Sequence, residues 1–586
     1  MLMPNRYSQP KRLAVVLRLL YWLPLLFAPL TAWAKPNIIV IITDDQGFGD
    51  FGVMGNTVLD TPHLDAFAKQ STTFDRFYVS PVCTPTRASL MTGRYHQRTG
   101  AVDTWKGRSI MRAEEVTLAE ALKGAGYATG IFGKWHLGDS YPFRAMDQGF
   151  EYSIVHKGGG LGQPSEPIEN NRRYTDPILF RDGKKVQTKG YCTDVYFDEA
   201  IDYIEKQSQT GRPFFAYIAT NAPHGPFHDV PEDLYEKYKA KDLSPILLGN
   251  EKTADTVARV FAMVENIDQN VGRLMAALKR LEQDNETLVL FMLDNGPNTM
   301  RYVGEMRGMK TNVYEGGVRS PLFVRWPGRF EAGHVVKQTA AHIDLMPTLL
   351  EAAGVELPRG VAIDGRSLLP LIEGKPGVDW PERSIVMQAH RGTSGEKFHH
   401  CMLIRGKWKL VRPSGFQNQT LDGEVPFELY DIHSDPREQN NLASEKPDVL
   451  ADLKQAYLQW HEDVVPDDHI PVRIIVGTEH EPTSVLTRQD WFPTTGGGWG
   501  QNGEWMLHSE RAYRGGATLL LRKPVTEDLP VRLIVGDQVL TGVFKEGTAR
   551  LIIADVPFPE GDFEMTATIG EGDKAFGPWQ IELTTE

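Results

Sequence analysis

The chain has 586 residues, of which 41% are hydrophobic and 24% are charged, and its formal net charge is −13. This composition is that of a folded globular protein, and the length favours more than one domain. Because an acidic surface repels phosphate, the charge argues against nucleic acid as a partner.

Residues 1–34 have the pattern of a secretory signal peptide. Basic residues precede an apolar run over 13–30, and the small residues of Ala32-Trp33-Ala34 follow it. The alternative is a membrane anchor, but Arg18 interrupts the run, which favours cleavage after Ala34. Since no later segment is long and apolar enough to cross a bilayer, we expect a periplasmic or secreted protein with no stable membrane span after cleavage.

Four predicted strands share one design, in which an apolar run ends abruptly in polar residues. These runs and the residues that follow them are 37–43 before Asp44 and Asp45, 127–132 before Lys134 and His136, 214–219 before His224, and 288–293 before Asp294 and Asn295. Runs that are apolar on both faces are typical of interior strands in a parallel sheet. Ligands bind beyond the carboxyl ends of such strands, so we expect these polar residues to meet at one site.

Helices are predicted between these strands. Thr117 and Glu120 fit a capping box, and apolar residues from Val257 to Leu278 recur at helical spacing. Strands that alternate with helices predict an α/β fold, with a mostly parallel central sheet sandwiched by helices.

The pattern changes after residue 385. Two short strands, at 407–411 and 427–431, and a helix at about 448–461 predict a small α+β subdomain over 386–465. Strand-and-turn sequence, with a glycine run at 496–498, then predicts a terminal all-β module over 466–586. The predicted domains are therefore a signal peptide (1–34), a catalytic domain (35–385), the α+β subdomain (386–465) and the terminal module (466–586).

Only three cysteines occur, Cys83, Cys192 and Cys401, which are too few for a disulfide framework. Cys192 and Cys401 could form one pair, which would leave Cys83 unpaired. Cys83 begins a predicted helix that Gly93 ends, where backbone N–H groups are free to hold an anion. A lone cysteine before a helix is usually a buried structural residue. The neighbouring residues must therefore show whether Cys83 has a catalytic role.

The string Cys83-Thr84-Pro85-Thr86-Arg87 resembles the sulfatase signature Cys-x-Pro-Ser-Arg, and Thr92-Gly93-Arg94 matches its continuation. Thr86 replaces the usual serine and keeps its hydroxyl. The resemblance covers about residues 36–377 and implies the fold of the alkaline phosphatase superfamily. It also implies that a formylglycine-generating enzyme acts as a maturation partner and converts Cys83 to 3-oxoalanine (formylglycine).

Two acidic pairs match the metal ligands of these sulfatases. The implied ligands are Asp44, Asp45, Asp294, Asn295 and the modified Cys83, and the implied ion is Ca²⁺, with Mg²⁺ as the alternative. An Asp-Asp pair alone is more simply explained as a turn or helix cap. Two such pairs at strand ends favour a shared cation, because three packed carboxylates would otherwise repel one another.

Further motifs match around Lys134, His136, His224 and Lys310. The resemblance implies that these four residues line a sulfate pocket, while Arg87 orients and stabilises the formylglycine. In the implied mechanism the hydrated aldehyde attacks sulfur with Asp45 as the base, and His224 protonates the departing alcohol. His136 then takes the proton that allows the sulfated hemiacetal to collapse.

The expected activity is hydrolysis of sulfate esters, on a sulfated saccharide or a small aryl sulfate, with release of inorganic sulfate. The alternatives are a phosphodiester or phosphonate hydrolase on the same scaffold and a non-catalytic glycan-binding relative. Substrate specificity is expected from the loops at 104–108 and 156–160 and from the basic residues of the subdomain edge, unless those are simply solvated. The latter residues are His390, Arg391, His399 and His400. Trp491, Trp499 and Trp505 are candidates for glycan stacking, although packing of a small core explains such residues more simply.

Overall fold

A computed structural model of the chain describes residues 35–421, 423–495 and 499–585. The predicted signal peptide at 1–34 and the glycine run at 496–498 lie outside the described residues. Within the described part of the chain, no helix combines the length and apolarity needed to span a membrane.

A ten-stranded, mostly parallel sheet contains all four predicted strands as neighbours. In spatial order they are Thr287–Leu293, Asn37–Thr43, Phe214–Ala219 and Ala128–Lys134, and each pairs in parallel with the next. Every residue of these strands is buried, which explains why the runs are apolar on both faces. The outer strands are Val335–Val336, Thr72–Phe74 and Leu322–Arg325 on one side, and Tyr152–His156, Ile178–Arg181 and Lys184–Gln187 on the other.

Helices cover both faces of this sheet. Ile39 and Ile41 pack in the hydrophobic cluster that includes the apolar face of the Ala254–Arg280 helix, whereas Ile38 packs in the cluster of the Leu118–Gly124 helix. The predicted capping box of that second helix is present. The other helices of seven or more residues in the described chain are Pro62–Lys69, Cys83–Thr92, Cys192–Ser208, Glu232–Lys239, Leu345–Ala352 and Pro447–Val464. Shorter α-helices are His96–Thr99, Glu315–Val318 and Leu369–Ile372.

The C-terminal part of the described chain is rich in β structure. An antiparallel sheet consists of Ile385–Gln388, Cys401–Arg405, Trp408–Arg412 and Glu428–Asp431. Two further sheets follow. The first contains Ile474–Ile475, Phe492–Thr495, Asn502–Ser509, Gly561–Ile569, Leu529–Val535 and Gln538–Phe544, and the second contains Thr483–Thr487, Gln580–Thr585, Tyr513–Leu520 and Arg550–Phe558. A separate three-stranded sheet, from earlier in the chain, consists of Phe77–Tyr78, Arg319–Ser320 and Ala340–Ala341. The predicted fold class is confirmed, and the domain boundaries stay a prediction.

The segment after residue 465 packs directly against the part of the chain that carries the central sheet. Ile110 and Phe143 belong to the same hydrophobic cluster as the buried indoles of Trp491 and Trp505. Gln580 Nε2 also donates hydrogen bonds to backbone carbonyls of the 164–166 loop, at 3.2 and 3.0 Å. Trp491 and Trp505 are therefore core residues, and only Trp499 of the three candidates is exposed, at 37%.

The pairing of Cys192 with Cys401 that composition left open is not formed. Both thiols are free and buried, and they lie in separate hydrophobic clusters. Cys192 begins the Cys192–Ser208 helix beside the central sheet, whereas Cys401 is on a strand of the antiparallel sheet.

Candidate active site

The polar residues that follow the four strands meet at one edge of the sheet, as the sequence predicts. Asp44 and Asp294 are brought together because their strands are direct neighbours in parallel register. His136 and His224 follow the next two strands, Ala128–Lys134 and Phe214–Ala219. Each of these side chains thus owes its position to the end of a fully buried strand.

Cys83 is the first residue of the Cys83–Thr92 helix, which ends at Gly93 in the left-handed conformation with φ 67°. The Cys83 side chain is buried, and its Sγ lies 3.5 Å from His136 Nδ1. Burial raises the pKa of this thiol, although the nearby Lys134 opposes the shift. The hydroxyl of Thr86 accepts a hydrogen bond from the Ser80 amide at 3.0 Å, which ties the helix to the chain before it.

Three buried carboxylates each have one oxygen bound by a cationic side chain. The pairs are Asp44 with Lys134 at 2.7 Å, Asp45 with Lys310 at 2.5 Å, and Asp294 with Arg87 at 2.9 Å. Burial raises the pKa of Asp294, and the neighbouring Asp44 raises it further. Burial also opposes ionisation of Asp45, but Lys310 and His224 together hold its pKa below the ordinary value. Three carboxylates and three cationic side chains are thus paired within one buried cluster, and each carboxylate has a second oxygen outside its ion pair.

The remaining oxygens of this cluster fit a divalent cation. Asp44 Oδ1, Asp45 Oδ2 and Asn295 Oδ1 are buried and make no hydrogen bond to the described residues. Asp44, Cys83 and Asp294 offer ligand atoms that lie within 4.8 Å of one another. Buried oxygens without partners are costly, and carboxylate and amide oxygens are the ligands that hard divalent cations prefer. These residues are therefore a candidate metal site.

Each of the two histidines has one ring nitrogen fixed by a backbone carbonyl. His136 Nε2 lies 3.1 Å from the Thr104 carbonyl oxygen, so that Nδ1 faces Cys83 as an acceptor. His224 Nδ1 lies 2.6 Å from the Gly225 carbonyl oxygen, and its Nε2 is 3.7 Å from Asp45 Oδ2. Burial lowers the pKa of both rings, that of His224 to about 4, although Asp45 opposes the shift at His224.

The backbone is strained where two of these side chains are held. Asp45 has φ 64° and His136 has φ 59°, in the left-handed region that non-glycine residues seldom adopt. Such conformations persist only where surrounding contacts enforce them, and they cluster at functional sites. Here the bonds of Asp45 to Lys310 and of His136 to the Thr104 carbonyl oxygen supply those contacts.

A cavity of about 540 Å³ opens above Cys83. Cys83, His136, His224 and Lys310 line it, together with twelve residues of other segments. The latter are Val82, Thr104, Trp105, Lys106, Gln163, Thr311, Arg391, Phe416, Gln417, Gln419, Pro493 and Trp499. Arg87 and Lys134 are not among the lining residues, because both are fully buried beneath the cavity and hold the carboxylates.

The expected specificity loops contribute unequally. The 104–108 loop supplies Thr104, Trp105 and Lys106 to the cavity, and Arg391 lines it as well. His390, His399 and His400 do not line the cavity. The alternative that these three histidines are solvated is also wrong, because all three are buried. His390 and His399 stack on each other with ring centroids 3.9 Å apart, and His400 Nε2 lies 2.7 Å from the Thr311 carbonyl oxygen.

The 156–160 loop acts through its glycines. A Cβ atom on Gly159 would lie 2.6 Å from His136 Cε1, and one on Gly160 would lie 3.0 Å from His224 Nδ1. Glycine thus allows the backbone to approach both histidine rings closely. The run of glycines at 158–160 is the feature of the sequence that indicates this close approach. No comparable local signal identifies Gln163, Phe416 or Pro493 as lining residues.

Comparison with known proteins agrees with this geometry. The family model described as Sulfatase matches residues 36–355, and a model described as N-sulphoglucosamine sulphohydrolase, C-terminal, matches residues 307–463. N-acetylgalactosamine-6-sulfatase of Sus scrofa is 34% identical over 481 residues, which cover 74% of this chain and 87% of that protein. Arylsulfatase A of Homo sapiens is 32% identical over 476 residues, which cover 74% of this chain and 89% of that protein.

A solved structure extends the similarity. Ps i-CgsB in complex with k-i-k-neocarrahexaose shares 27% sequence identity and a TM-score of 0.62, over 73% of this chain and 93% of that one. The chain therefore belongs to the sulfatase family of the alkaline phosphatase superfamily. It is a sulfuric ester hydrolase, and hydrolysis of sulfate esters is favoured over both alternatives weighed from the sequence.

Proposed function

We propose that this sulfatase is an exported enzyme that uses a formylglycine at position 83 and a calcium ion to remove sulfate from a saccharide. The observation that carries the proposal is the position of Cys83. Its Sγ lies at the cavity within 4.8 Å of carboxylate oxygens of Asp44 and Asp294, and 3.5 Å from His136 Nδ1. A nucleophile, a cation site and a base thus converge on one point.

The metal would be held by Asp44, Asp45, Asp294 and Asn295, together with the modified residue 83. Calcium suits this all-oxygen set, and magnesium is the alternative. When bound, the cation supplies positive charge that lowers the pKa of a ligated hydroxyl and stabilises the sulfate oxygens. Lys134 and Arg87 position the ligands, since each holds one carboxylate oxygen, of Asp44 and Asp294 respectively. The other oxygen of Asp44 has no hydrogen-bond partner in the described chain, and Asp294 Oδ1 accepts a hydrogen bond from the Asp45 amide at 3.2 Å.

Formylglycine, once hydrated, supplies an oxygen nucleophile and a second hydroxyl that a cysteine lacks. Asp45 Oδ2 is one of the oxygens that would hold the cation. Because it is buried and has no hydrogen-bond partner among the described residues, it is also suited to take the proton of the attacking hydroxyl. Lys310 Nζ lines the cavity beside Asp45 and offers a cation to the sulfate group of the substrate.

The two histidines serve different proton transfers. His224 Nδ1 is fixed on the Gly225 carbonyl oxygen, so Nε2 is the atom that gives a proton to the departing alcohol once the ring is protonated. Burial opposes that protonated form, whereas Asp45 and a bound sulfate group favour it. His136 is fixed in the opposite sense, because its Nε2 lies on the Thr104 carbonyl oxygen and its Nδ1 faces position 83. His136 is thereby suited to remove the proton of the second hydroxyl, which releases sulfate and restores the aldehyde.

Several observations support export and a saccharide substrate. The 1–34 segment has the signal-peptide pattern, so we place the mature enzyme in the periplasm or outside the cell. The intact Cys-x-Pro-x-Arg string provides for a formylglycine-generating enzyme during maturation. One relative is an N-acetylgalactosamine-6-sulfatase, and one structural neighbour is in complex with k-i-k-neocarrahexaose. We retain the domains proposed from sequence, at 35–385, 386–465 and 466–586.

The test compares released inorganic sulfate over a panel of defined sulfated saccharides and nitrophenyl sulfate, with nitrophenyl phosphate as the matched phosphate ester. We expect turnover of at least one saccharide, faster cleavage of the aryl sulfate than of the aryl phosphate, and loss of all turnover in Cys83→Ala. The matched control is Cys192→Ala, because Cys192 is a buried thiol outside the cavity. Preference for the phosphate ester, or unchanged turnover in Cys83→Ala, would contradict the proposal.

A further inference from the structure

Part of the cavity wall comes from the segment after residue 466. Pro493 and Trp499 line the cavity beside Trp105 and Lys106 of the 104–108 loop. Both family models end at or before residue 463. This part of the wall is therefore contributed by a segment of the chain that neither family model describes.

Trp499 is held in place by contacts that lead back to the catalytic centre. Its ring meets the Trp105 ring edge to face, with centroids 5.9 Å apart and planes at 80°. Trp499 Nε1 donates a hydrogen bond to Gln489 Oε1 at 3.1 Å, and Gln489 Nε2 donates one to the Thr104 carbonyl oxygen at 2.6 Å. The indole is thus ordered, yet 37% of Trp499 remains exposed at the cavity.

The same region is positively charged, although the whole chain is acidic. Lys106, Lys310 and Arg391 line the cavity, and none of its described lining residues is acidic. Lys310 is paired with Asp45, whereas Lys106 and Arg391 have no carboxylate within 4.0 Å among the described residues. The Arg391 guanidinium lies 4.4 Å from the Trp105 ring centroid and 5.1 Å from that of Phe416. Arg391 Nε is buried and without a hydrogen-bond partner in the described chain.

We propose that Trp499, supported by its contact with Trp105, forms a subsite for a sugar ring. Arg391 and Lys106, which lie over the Trp105 ring, bind a second anionic group of the same saccharide. Aromatic faces provide large, rigid apolar contact for the C–H face of a sugar ring. A guanidinium with unused donors matches the planar or tetrahedral oxygens of a carboxylate or sulfate. The substrate class is therefore a saccharide with at least two acidic groups, of which one is the sulfate that is removed. This inference rests on the proposed saccharide substrate.

The experiment uses the full chain and four substrates: nitrophenyl sulfate, a monosulfated disaccharide, a disulfated disaccharide, and a monosulfated disaccharide that carries a uronate carboxylate. For Trp499→Ala we expect kcat/KM on the disaccharides to fall about tenfold more than on nitrophenyl sulfate, chiefly through KM. Trp499→Phe should restore most of that loss because it retains an aromatic face. Arg391→Gln should lower kcat/KM about tenfold more for the doubly anionic disaccharides than for the monosulfated one. Whether the loss is larger for the disulfated or for the uronate disaccharide identifies which anion Arg391 binds.

Matched controls come from the same β-rich segment. Trp579 and Arg522 line a different cavity, with the Arg522 guanidinium 4.9 Å from the Trp579 ring centroid. Trp579→Ala and Arg522→Gln should therefore leave unchanged the ratio of kcat/KM on the disaccharides to kcat/KM on nitrophenyl sulfate. An equal effect of Trp579→Ala and Trp499→Ala on that ratio would overturn the subsite.

The readouts separate a subsite from a structural role. If Trp499→Ala lowers kcat equally on every substrate, the residue acts through Gln489 and Thr104 on His136, and the subsite is overturned. If the wild-type enzyme cleaves nitrophenyl sulfate but no saccharide, the substrate proposal itself fails, and the subsite fails with it. If the wild type cleaves saccharides and Trp499→Ala cleaves them equally well, only the subsite is wrong.

Discussion

Replacement of His224 by alanine should separate substrates according to how readily their alcohol departs. His224 Nδ1 lies 2.6 Å from the Gly225 carbonyl oxygen, which leaves Nε2 at the cavity to transfer a proton. A sugar hydroxyl needs that proton as the S–O bond breaks, whereas nitrophenolate departs as an anion. We therefore expect His224→Ala to lower kcat/KM about 10²–10⁴-fold more for a sugar sulfate than for nitrophenyl sulfate, the usual contribution of a positioned acid.

The assay is a plot of log kcat/KM against the leaving-group pKa for a series of sulfate esters. His224→Ala should steepen the plot, and His228→Ala, an exposed histidine outside the cavity, should reproduce the wild type. His136→Ala should instead lower kcat by a similar factor for all esters, because His136 Nδ1 faces position 83 and not the alcohol. An unchanged slope for His224→Ala together with a steeper one for His136→Ala would refute the assignment and reverse the two roles.

Two further predictions concern the cation and the stability of the fold. Exhaustive chelation should abolish turnover, and added calcium or magnesium should restore it. Asp294→Ala should be as inactive as the metal-free enzyme. The control Asp537→Ala, at an exposed turn, should keep wild-type turnover. Undiminished turnover after chelation would contradict the metal site. Away from the site, burial raises the pKa of Asp268 to about 6, and its Oδ2 has no hydrogen-bond partner in the described chain. Because this folded-state pKa exceeds the unfolded value, the cost of ionising Asp268 appears as the pH rises from about 4 to about 6 and persists above it. Asp268→Asn should therefore raise Tm at pH 8 but not at pH 4, and an equal change at both would contradict the reasoning.

The catalytic centre could be predicted because it depends on strand ends. Asp44 and Asp294 are far apart in the chain, but each follows a run that is apolar on both faces. Such runs are neighbours in the interior of one parallel sheet, so their carboxyl ends meet at one edge. In the structure these two strands are parallel neighbours, with Ile41 paired to Phe291, as this argument predicts.

The cavity wall could not be predicted from sequence in the same way. The contact between Gln489 and Thr104 depends on how a β-rich segment docks onto the rest of the fold, which local periodicity does not encode. The burial of His390 and His399 as a stacked pair could not be predicted either, since basic residues in loops are ordinarily solvated.

The central claim is that Cys83 is the precursor of a formylglycine nucleophile, and mass spectrometry of the tryptic peptide from residue 77 to Arg87 tests it most directly. Protein produced with an active formylglycine-generating system should carry an aldehyde in place of the Cys83 thiol, and turnover should rise in proportion to the converted fraction. The same protein made without that system should retain the thiol and show essentially no turnover. Full turnover by protein whose peptide contains only unmodified cysteine would contradict the account.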